Sequence, residues 1–197
     1  MTRDEADLWV FGYGSLMWRP GFPFEERRDA HLSGYRRSLC IFSHVHRGTP
    51  EKPGLVLGLD RGGRCRGVLY RLAAEEFDTE LEIVWRREMV TGAYRPRWVE
   101  TATVEGRVWA LTFVINREHD RYARALSDDD LIRTLATAQG ALGSCADYLF
   151  HTASHLTQLG IADAALERLC SAVRTYQEEA APNAAASSAL NASSSSA

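Results

Sequence analysis

Apolar positions along this chain repeat with two different periods, and the change of period divides it. Short runs rich in β-branched and aromatic residues come first. Trp9-Val10-Phe11, Tyr35 to Phe42, Leu55 to Leu59, Arg66 to Leu72, Trp98 to Val104 and Arg107 to Ile115 read as strands. Gly62-Gly63 and Glu105-Gly106 read as hairpin turns between some of them. Between the fourth and fifth runs, residues 73–88 carry Phe77, Leu81, Val84 and Trp85 at helical spacing. After the last strand the period is helical. Ser127, followed by Asp128, Asp129 and Asp130, is an N-cap with acids placed to suit a helix dipole, and that helix is predicted to end near Gly140. Cys145 to Leu159, stopped by Gly160, predicts a second helix, and Asp163 to Glu178 a third.

The order of strands, one helix, more strands and then helices makes an α+β domain rather than alternating βαβ units. Six strands with hairpin signals are enough to close into a small barrel, though spacing alone leaves closure open. No internal repeat is visible. From about Glu178 onward the sequence turns Ala/Ser/Asn-rich, a composition that buries too little apolar surface to offset its ordering entropy. The expected organisation is therefore one domain over residues 8–178 and a disordered tail over 179–197.

Composition narrows the function without naming it. The 197 residues are 45% hydrophobic and 25% charged, with a formal charge of −3, ordinary globular values that give no reason to expect a nucleic-acid partner. The pairs Arg27-Arg28, Arg36-Arg37 and Arg86-Arg87 are too short to be basic tracts. Each reads as solvated positions facing acidic neighbours, or else as part of a pocket for a small anion. No apolar run approaches the ~18 residues of a membrane span, and the charged segment Met1 to Asp7 is not followed by a signal-peptide core. Cys40, Cys65, Cys145 and Cys170 are scattered, with no Cys-x-x-Cys pair. They read as reduced thiols, mostly core filling, and the expected compartment is the cytoplasm. Oligomeric state leaves no mark in the pattern.

Two places could carry chemistry. Taking 100° per residue, Glu88 lies about 40° from Val84 and about 20° from Leu81 and Phe77, so it continues the apolar stripe of its helix. A carboxylate aimed at a core is costly unless it is paired or its pKa is raised toward neutrality. Periodicity leaves two readings open: a general acid/base beside the Thr91-Gly92-Ala93 loop, or a helix-end carboxylate paired with Arg95 or Arg97. The second place is Phe11-Gly12-Tyr13-Gly14-Ser15-Leu16, which follows an apolar strand. Its glycines permit positive φ and close backbone approach, so its N–H groups could form a nest for a carboxylate or oxyanion. A bare Gly-x-Gly is more simply a strand-ending turn. It lacks the third glycine of a dinucleotide fingerprint, and Ser15 lacks the frame of a nucleophile elbow. His44 with His46, and His151 with His155, could each share a face. The second pair has Thr152 where a zinc helix needs glutamate and no third ligand is evident, so no metal site is expected.

Together these segments resemble one family. Trp9-Val-Phe-Gly-Tyr-Gly-Ser-Leu-Met-Trp18 is similar to the N-terminal signature of the ChaC-type γ-glutamylcyclotransferases, and His46-Arg-Gly-Thr-Pro-Glu-Lys-Pro-Gly54 to their next block. Gly67-Val-Leu-Tyr-Arg-Leu72 resembles the strand after it, Trp85-Arg-Arg-Glu-Met-Val-Thr-Gly-Ala-Tyr94 the catalytic-glutamate segment, and Asp147-Tyr148-Leu-Phe150 the Tyr-Leu-Phe helix. The resemblance spans roughly residues 8 to 178 in the family's order, with the longer Glu-to-Tyr spacing typical of bacterial members. It implies a γ-glutamylcyclotransferase-like fold, a small closed or partly open mixed β-barrel flanked by helices, and cleavage of glutathione to 5-oxoproline and Cys-Gly without a cofactor. It also implies Glu88 as acid/base, with Val10, Phe11, Gly12, Tyr13, Gly14 and Ser15 as the substrate-binding loop. Arg47 and Tyr148 are further expected substrate contacts, against a structural loop arginine and a core tyrosine. The alternatives are a cyclotransferase for other γ-glutamyl amino acids or amines, and a non-catalytic regulator of cation transport.

Overall fold

The computed structural model describes residues 8–72, 92–124 and 126–193. They fall into two compact units. One contains the chain up to Phe42 together with Val56–Arg124; the other contains Ser43–Leu55 and the chain from Ala125 onward.

The first unit is a closed barrel of five strands: β1 (Leu8–Gly12), β2 (Glu26–Ser43), β3 (Gly54–Leu72), β4 (Tyr94–Thr103) and β5 (Gly106–Ile115), in the order β1-β3-β2-β4-β5. Closure is made by β1, antiparallel to β3 from Leu8↔Leu72 to Gly12↔Val68 and parallel to β5 at Val10↔Leu111. Alternate residues of all five strands fill the barrel: Trp9 and Phe11, Ala30 and Leu32, Leu59 and Leu69, Val99, and Ala110 with Val114 share one buried cluster. The opposite parity is covered along β1 and over Val68, Tyr70, Leu111 and Phe113, and exposed at Trp98 and Trp109. The turn expected at Glu105-Gly106 is present, joining Thr103 to Gly106 in the β4–β5 ladder.

Gly62-Gly63 does not reverse the chain. The two runs expected on either side of it are one strand, β3, with φ of 96° and 75° at the two glycines. A small barrel needs its strands to coil sharply, and consecutive left-handed glycines bend a strand without ending it. β2 likewise begins nine residues before Tyr35, and Gly34 (φ 84°) supplies its bend. Where β1 crosses β3 the backbones nearly touch. A Cβ at Gly67 would stand 2.3 Å from the Gly12 carbonyl oxygen and 2.6 Å from the Phe11 ring.

One carboxylate is sealed inside this unit. Asp60, 3% exposed, accepts from Arg117 Nε at 2.7 Å, from the Arg61 N–H at 2.8 Å and from the Tyr122 hydroxyl at 3.1 Å. Burial pushes its pKa up, but these donors together hold it below the ordinary value of 3.8.

In the second unit, α1 (Asp128–Thr137) starts at Ser127, whose hydroxyl accepts the Asp130 N–H. α2 (Cys145–Gln158) starts at Ser144, whose side chain accepts the Asp147 N–H. α3 spans Ala164–Ser193 and enters the stretch that composition marks as a tail, where alanine, the best helix former, is abundant. α1 stops at Thr137, short of the expected Gly140, because tertiary contacts claim the residues that follow. Gly140 lies against the backbone of 45–48, the N–H groups of Ala141 and Leu142 donate to the carbonyls of Val45 and His46, and Gln139–Gly140 (β6) pairs with Gly143–Ser144 (β7). The Cys145 thiol donates to the Leu55 carbonyl at 3.0 Å and its sulfur accepts the Leu55 N–H at 3.1 Å. All four cysteines are buried and free. Among the described residues, no helix is long and apolar enough to cross a membrane.

Two substitutions test this account. Gly67→Ala should destabilise by about 3 kcal/mol in urea unfolding, because its methyl group meets backbone rather than a side chain that can swing away. Asp60→Asn should lose about 2 kcal/mol at neutral pH, less than a fully buried pair because Arg117 stays half in water. Because the folded pKa is depressed, that difference is fully present above pH 3.8 and should close as pH falls through the lowered value.

Candidate active site

β1 carries the first group of candidate residues to the end of the barrel. Val10 and Phe11 are completely buried. Val10 sits in the ladder on both sides, opposite Tyr70 and Leu111, and the Phe11 carbonyl accepts the Thr112 hydroxyl at 3.0 Å. Their side chains belong to the core, so they serve the turn beyond by fixing where it starts. Gly12 ends the strand, and a Cβ there would press on the Leu16 Cβ at 3.1 Å. Neither Gly12 nor Gly14 has a positive φ. Glycine is needed at position 12 for the close approach of Leu16 and not for a left-handed backbone, which corrects one reason for expecting it.

The turn closes through a short 3-10 segment, Ser15–Met17, in which the Met17 N–H donates to the Gly14 carbonyl at 2.9 Å and the Arg19 N–H to that of Ser15 at 2.8 Å. Tyr70 pins its far end by donating its hydroxyl to the Met17 carbonyl at 2.7 Å. Tyr13 and Gly14 are buried, whereas Ser15 reaches the surface.

A buried arginine lies beneath this turn. Arg37 is 8% exposed. Its Nε donates to the Tyr13 carbonyl at 2.5 Å, and its Nη2 donates to the Arg66 carbonyl and lies 3.8 Å from the Met17 sulfur. The peptide between Tyr13 and Gly14 is planar and trans, so holding its C=O toward Arg37 turns the Gly14 N–H the opposite way. The guanidinium thus fixes the direction of a donor in the turn and places a positive charge under it. The pair Arg36-Arg37 had read as two solvated positions. The missed signal is parity: on β2, Arg37 alternates with Leu39 and Ile41, both buried.

Glu88 lies outside the described residues. Its segment is met again at Gly92, Ala93 and Tyr94. Gly92 has φ of 68°, Ala93 is fully buried with its carbonyl accepting the Asn116 N–H, and the Tyr94 hydroxyl donates to the Leu57 carbonyl at 2.8 Å. Of the two arginines considered as partners for Glu88, Arg95 bonds to Glu118 at 2.6 Å.

The other two candidates belong to the second unit, which brings them together. The Arg47 guanidinium stands over the Tyr148 ring, 5.3 Å from its centroid, and its Nη1 donates to the Leu142 carbonyl at 2.6 Å and more weakly to that of Ser144. Arg47 opens a loop that folds back on itself. A Cβ at Gly48 would lie 2.0 Å from the Gly54 nitrogen and one at Gly54 2.0 Å from the Arg47 oxygen, so both ends must be glycine. Within it, Thr49 and Lys52 exchange bonds, Thr49 N–H to the Lys52 carbonyl and Lys52 N–H to the Thr49 hydroxyl. Arg47 therefore has the anchoring contacts of a structural loop arginine, and the half-buried Tyr148 is its stacking partner.

A profile of the ChaC-like protein family matches residues 8–176. The chain belongs to the ChaC-like family. It is 39% identical over 181 residues to the glutathione-specific γ-glutamylcyclotransferase of Escherichia coli K12, covering 91% of this chain and 78% of that one. It is 32% identical to γ-glutamylcyclotransferase 2-3 of Arabidopsis thaliana, covering 87% and 91%. Its fold is similar to the crystal structure of the yeast γ-glutamylcyclotransferase specific to glutathione, with a TM-score of 0.78 at 21% identity over 88% of this chain and 98% of that one. The mixed barrel and the helices expected of a ChaC-like chain are both present in its fold.

In this ChaC-like barrel, Arg37→Met should leave the Tyr13 and Arg66 carbonyls without their buried donor and cost at least ~2 kcal/mol in urea unfolding. Arg37→Lys should recover only part of that loss, because an ammonium cannot span both carbonyls.

Proposed function

We propose that this chain is a cofactor-independent γ-glutamylcyclotransferase that cleaves glutathione to 5-oxoproline and Cys-Gly. The observation that carries the reading is its 39% identity, over 91% of its length, to an E. coli protein of that named specificity. The local geometry supports it. A turn with glycines at 12 and 14 ends a fully buried strand, and a buried guanidinium fixes one of its peptides.

In the proposed reaction the neutral α-amine of the glutamyl group attacks its own γ-carbonyl carbon, and the amide bond to cysteine breaks. Forming a five-membered ring within one molecule already supplies proximity. The enzyme must hold the folded substrate, take a proton from the attacking amine, stabilise the oxyanion and return a proton to the departing Cys-Gly nitrogen. Glu88 is assigned both proton transfers, first as base and then as acid, a double role that a carboxylate of raised pKa can serve. The Gly12–Ser15 backbone is assigned the oxyanion or the substrate's α-carboxylate. Arg47 and Tyr148 are assigned a substrate contact, since a guanidinium stacked on a ring keeps donor edges for a carboxylate. The domain is assigned to residues 8–178 and the remainder to a tail.

A broader substrate range is the second reading. It is favoured by the Arabidopsis relative, whose name is γ-glutamylcyclotransferase without restriction to glutathione.

Purified protein incubated with glutathione should release Cys-Gly and 5-oxoproline in equal amounts, with γ-glutamyl-alanine and γ-glutamyl-lysine turned over far more slowly. Turnover of the latter two alone would select the broader reading, and turnover of none would discard the enzymatic one. Glu88→Gln should lower kcat by about 10²–10⁴ while circular dichroism and substrate affinity stay near wild type. Full 5-oxoproline release by that folded variant would remove Glu88 from the mechanism. Ser15→Ala should fall short of the ~10² loss typical of a deleted oxyanion donor, because the donors are main-chain N–H groups.

A further inference from the structure

The flank of the barrel holds a concentration of positive charge that the proposed reaction does not use. β2 and β4 pair at His31↔Ala102 and Leu32↔Thr101. Beyond the bend at Gly34, Tyr35 of β2 and Arg95 and Arg97 of β4 line a cavity of about 160 Å³. Leu59 and Val114, both buried, give it an apolar floor. Arg61, Arg117, Asn116 and Glu118 complete its walls. Four guanidinium groups thus surround a cavity with a single carboxylate in its lining, in a chain whose formal charge is −3.

The donors in that wall are only partly engaged. Arg95 bonds through Nη2 to Glu118, which neutralises the one acidic side chain there. Arg117 reaches the buried Asp60 through Nε, which leaves its two terminal amino groups as donors. Asn116 accepts the Glu118 N–H on its Oδ1 at 3.2 Å, and its amide NH₂ is a donor group. Arg61 and Arg97 have no carboxylate partner among the described residues, and both are exposed. Among the described residues, the wall therefore carries more donors than acceptors.

We infer that this cavity is a binding site for a small multivalent oxyanion of the phosphate or dicarboxylate type. Guanidinium forks match the oxygen spacing of both groups, and an anion with several oxygens satisfies Arg61, Arg97, Arg117 and Asn116 together. The size fits this class: clefts that enclose drug-sized ligands measure ~300–1,000 Å³, so the cavity takes an anionic group and not a large cofactor. The site is independent of the cyclotransferase reading. Its floor residues, Leu59 and Val114, share the buried cluster of Tyr13, so a bound anion stiffens the core from which the substrate turn emerges.

The test uses the full chain, with inorganic phosphate, pyrophosphate and malonate each titrated against sodium chloride of matched ionic strength. Thermal unfolding and calorimetry are the readouts. The expected result is a saturable rise in Tm of about 5 °C at a hundredfold excess over Kd for at least one oxyanion, beyond the chloride effect. The oxyanion that saturates at the lowest concentration identifies the class. Arg61→Gln combined with Arg97→Gln should weaken that binding at least tenfold, while Arg133→Gln, in the other unit, should leave it unchanged. Stabilisation no greater than with chloride would overturn the site, as would a response of equal size in the double variant.

Discussion

β1 must be dry on every side and yet end in backbone that can meet a ligand. Its five residues are all buried, with β3 on one edge and β5 on the other. Removing water from both faces requires the close crossing at Gly67, where any side chain would strike the Gly12 carbonyl. That crossing sets the height at which the strand stops. The turn that follows inherits a fixed origin, and Arg37 and Tyr70 then fix its first and last carbonyls. A turn of one short 3-10 segment is thus tied at both ends to the barrel.

Much of the fold was legible because its signals are local. The β-branched and aromatic run in Arg107 to Ile115, the serine caps at 127 and 144, and Gly160 (φ 67°) after α2 each act within a few residues. The failures have one cause, a distant partner overriding a local preference. Gly62-Gly63 looks like a reversal, yet barrel closure uses it as a bend. Gln139 and Gly140 look like the last turn of a helix, yet residues 45–48 draw their backbone into another pairing. Neither competitor is visible without the tertiary structure.

The candidate site was legible in a different way. The glycines after an apolar strand singled out the Phe11–Leu16 turn, periodicity singled out Glu88, and segment resemblance added Arg47 and Tyr148. What the pattern did not yield was the support beneath them. Asp60 was not singled out, and its three donors come from its own neighbour and from a segment about sixty residues away. Arg36 and Arg37 read together, as solvated positions or part of an anion pocket, although strand parity puts the two on opposite faces. Charged residues are easy to spot and their burial is not, since burial depends on which strands come to flank them.

The cysteines acquire a meaning once the proposed substrate is considered. Glutathione and its oxidised form exchange with protein thiols that are both accessible and ionised. All four cysteines here are buried. Burial pushes Cys40 up to about 12 and raises Cys145 and Cys170 as well. Cys145 is further occupied with both polar groups of Leu55. For the proposed reaction this means that oxidised glutathione would meet four covered sulfurs rather than an accessible thiolate, so a mixed disulfide with the protein is disfavoured.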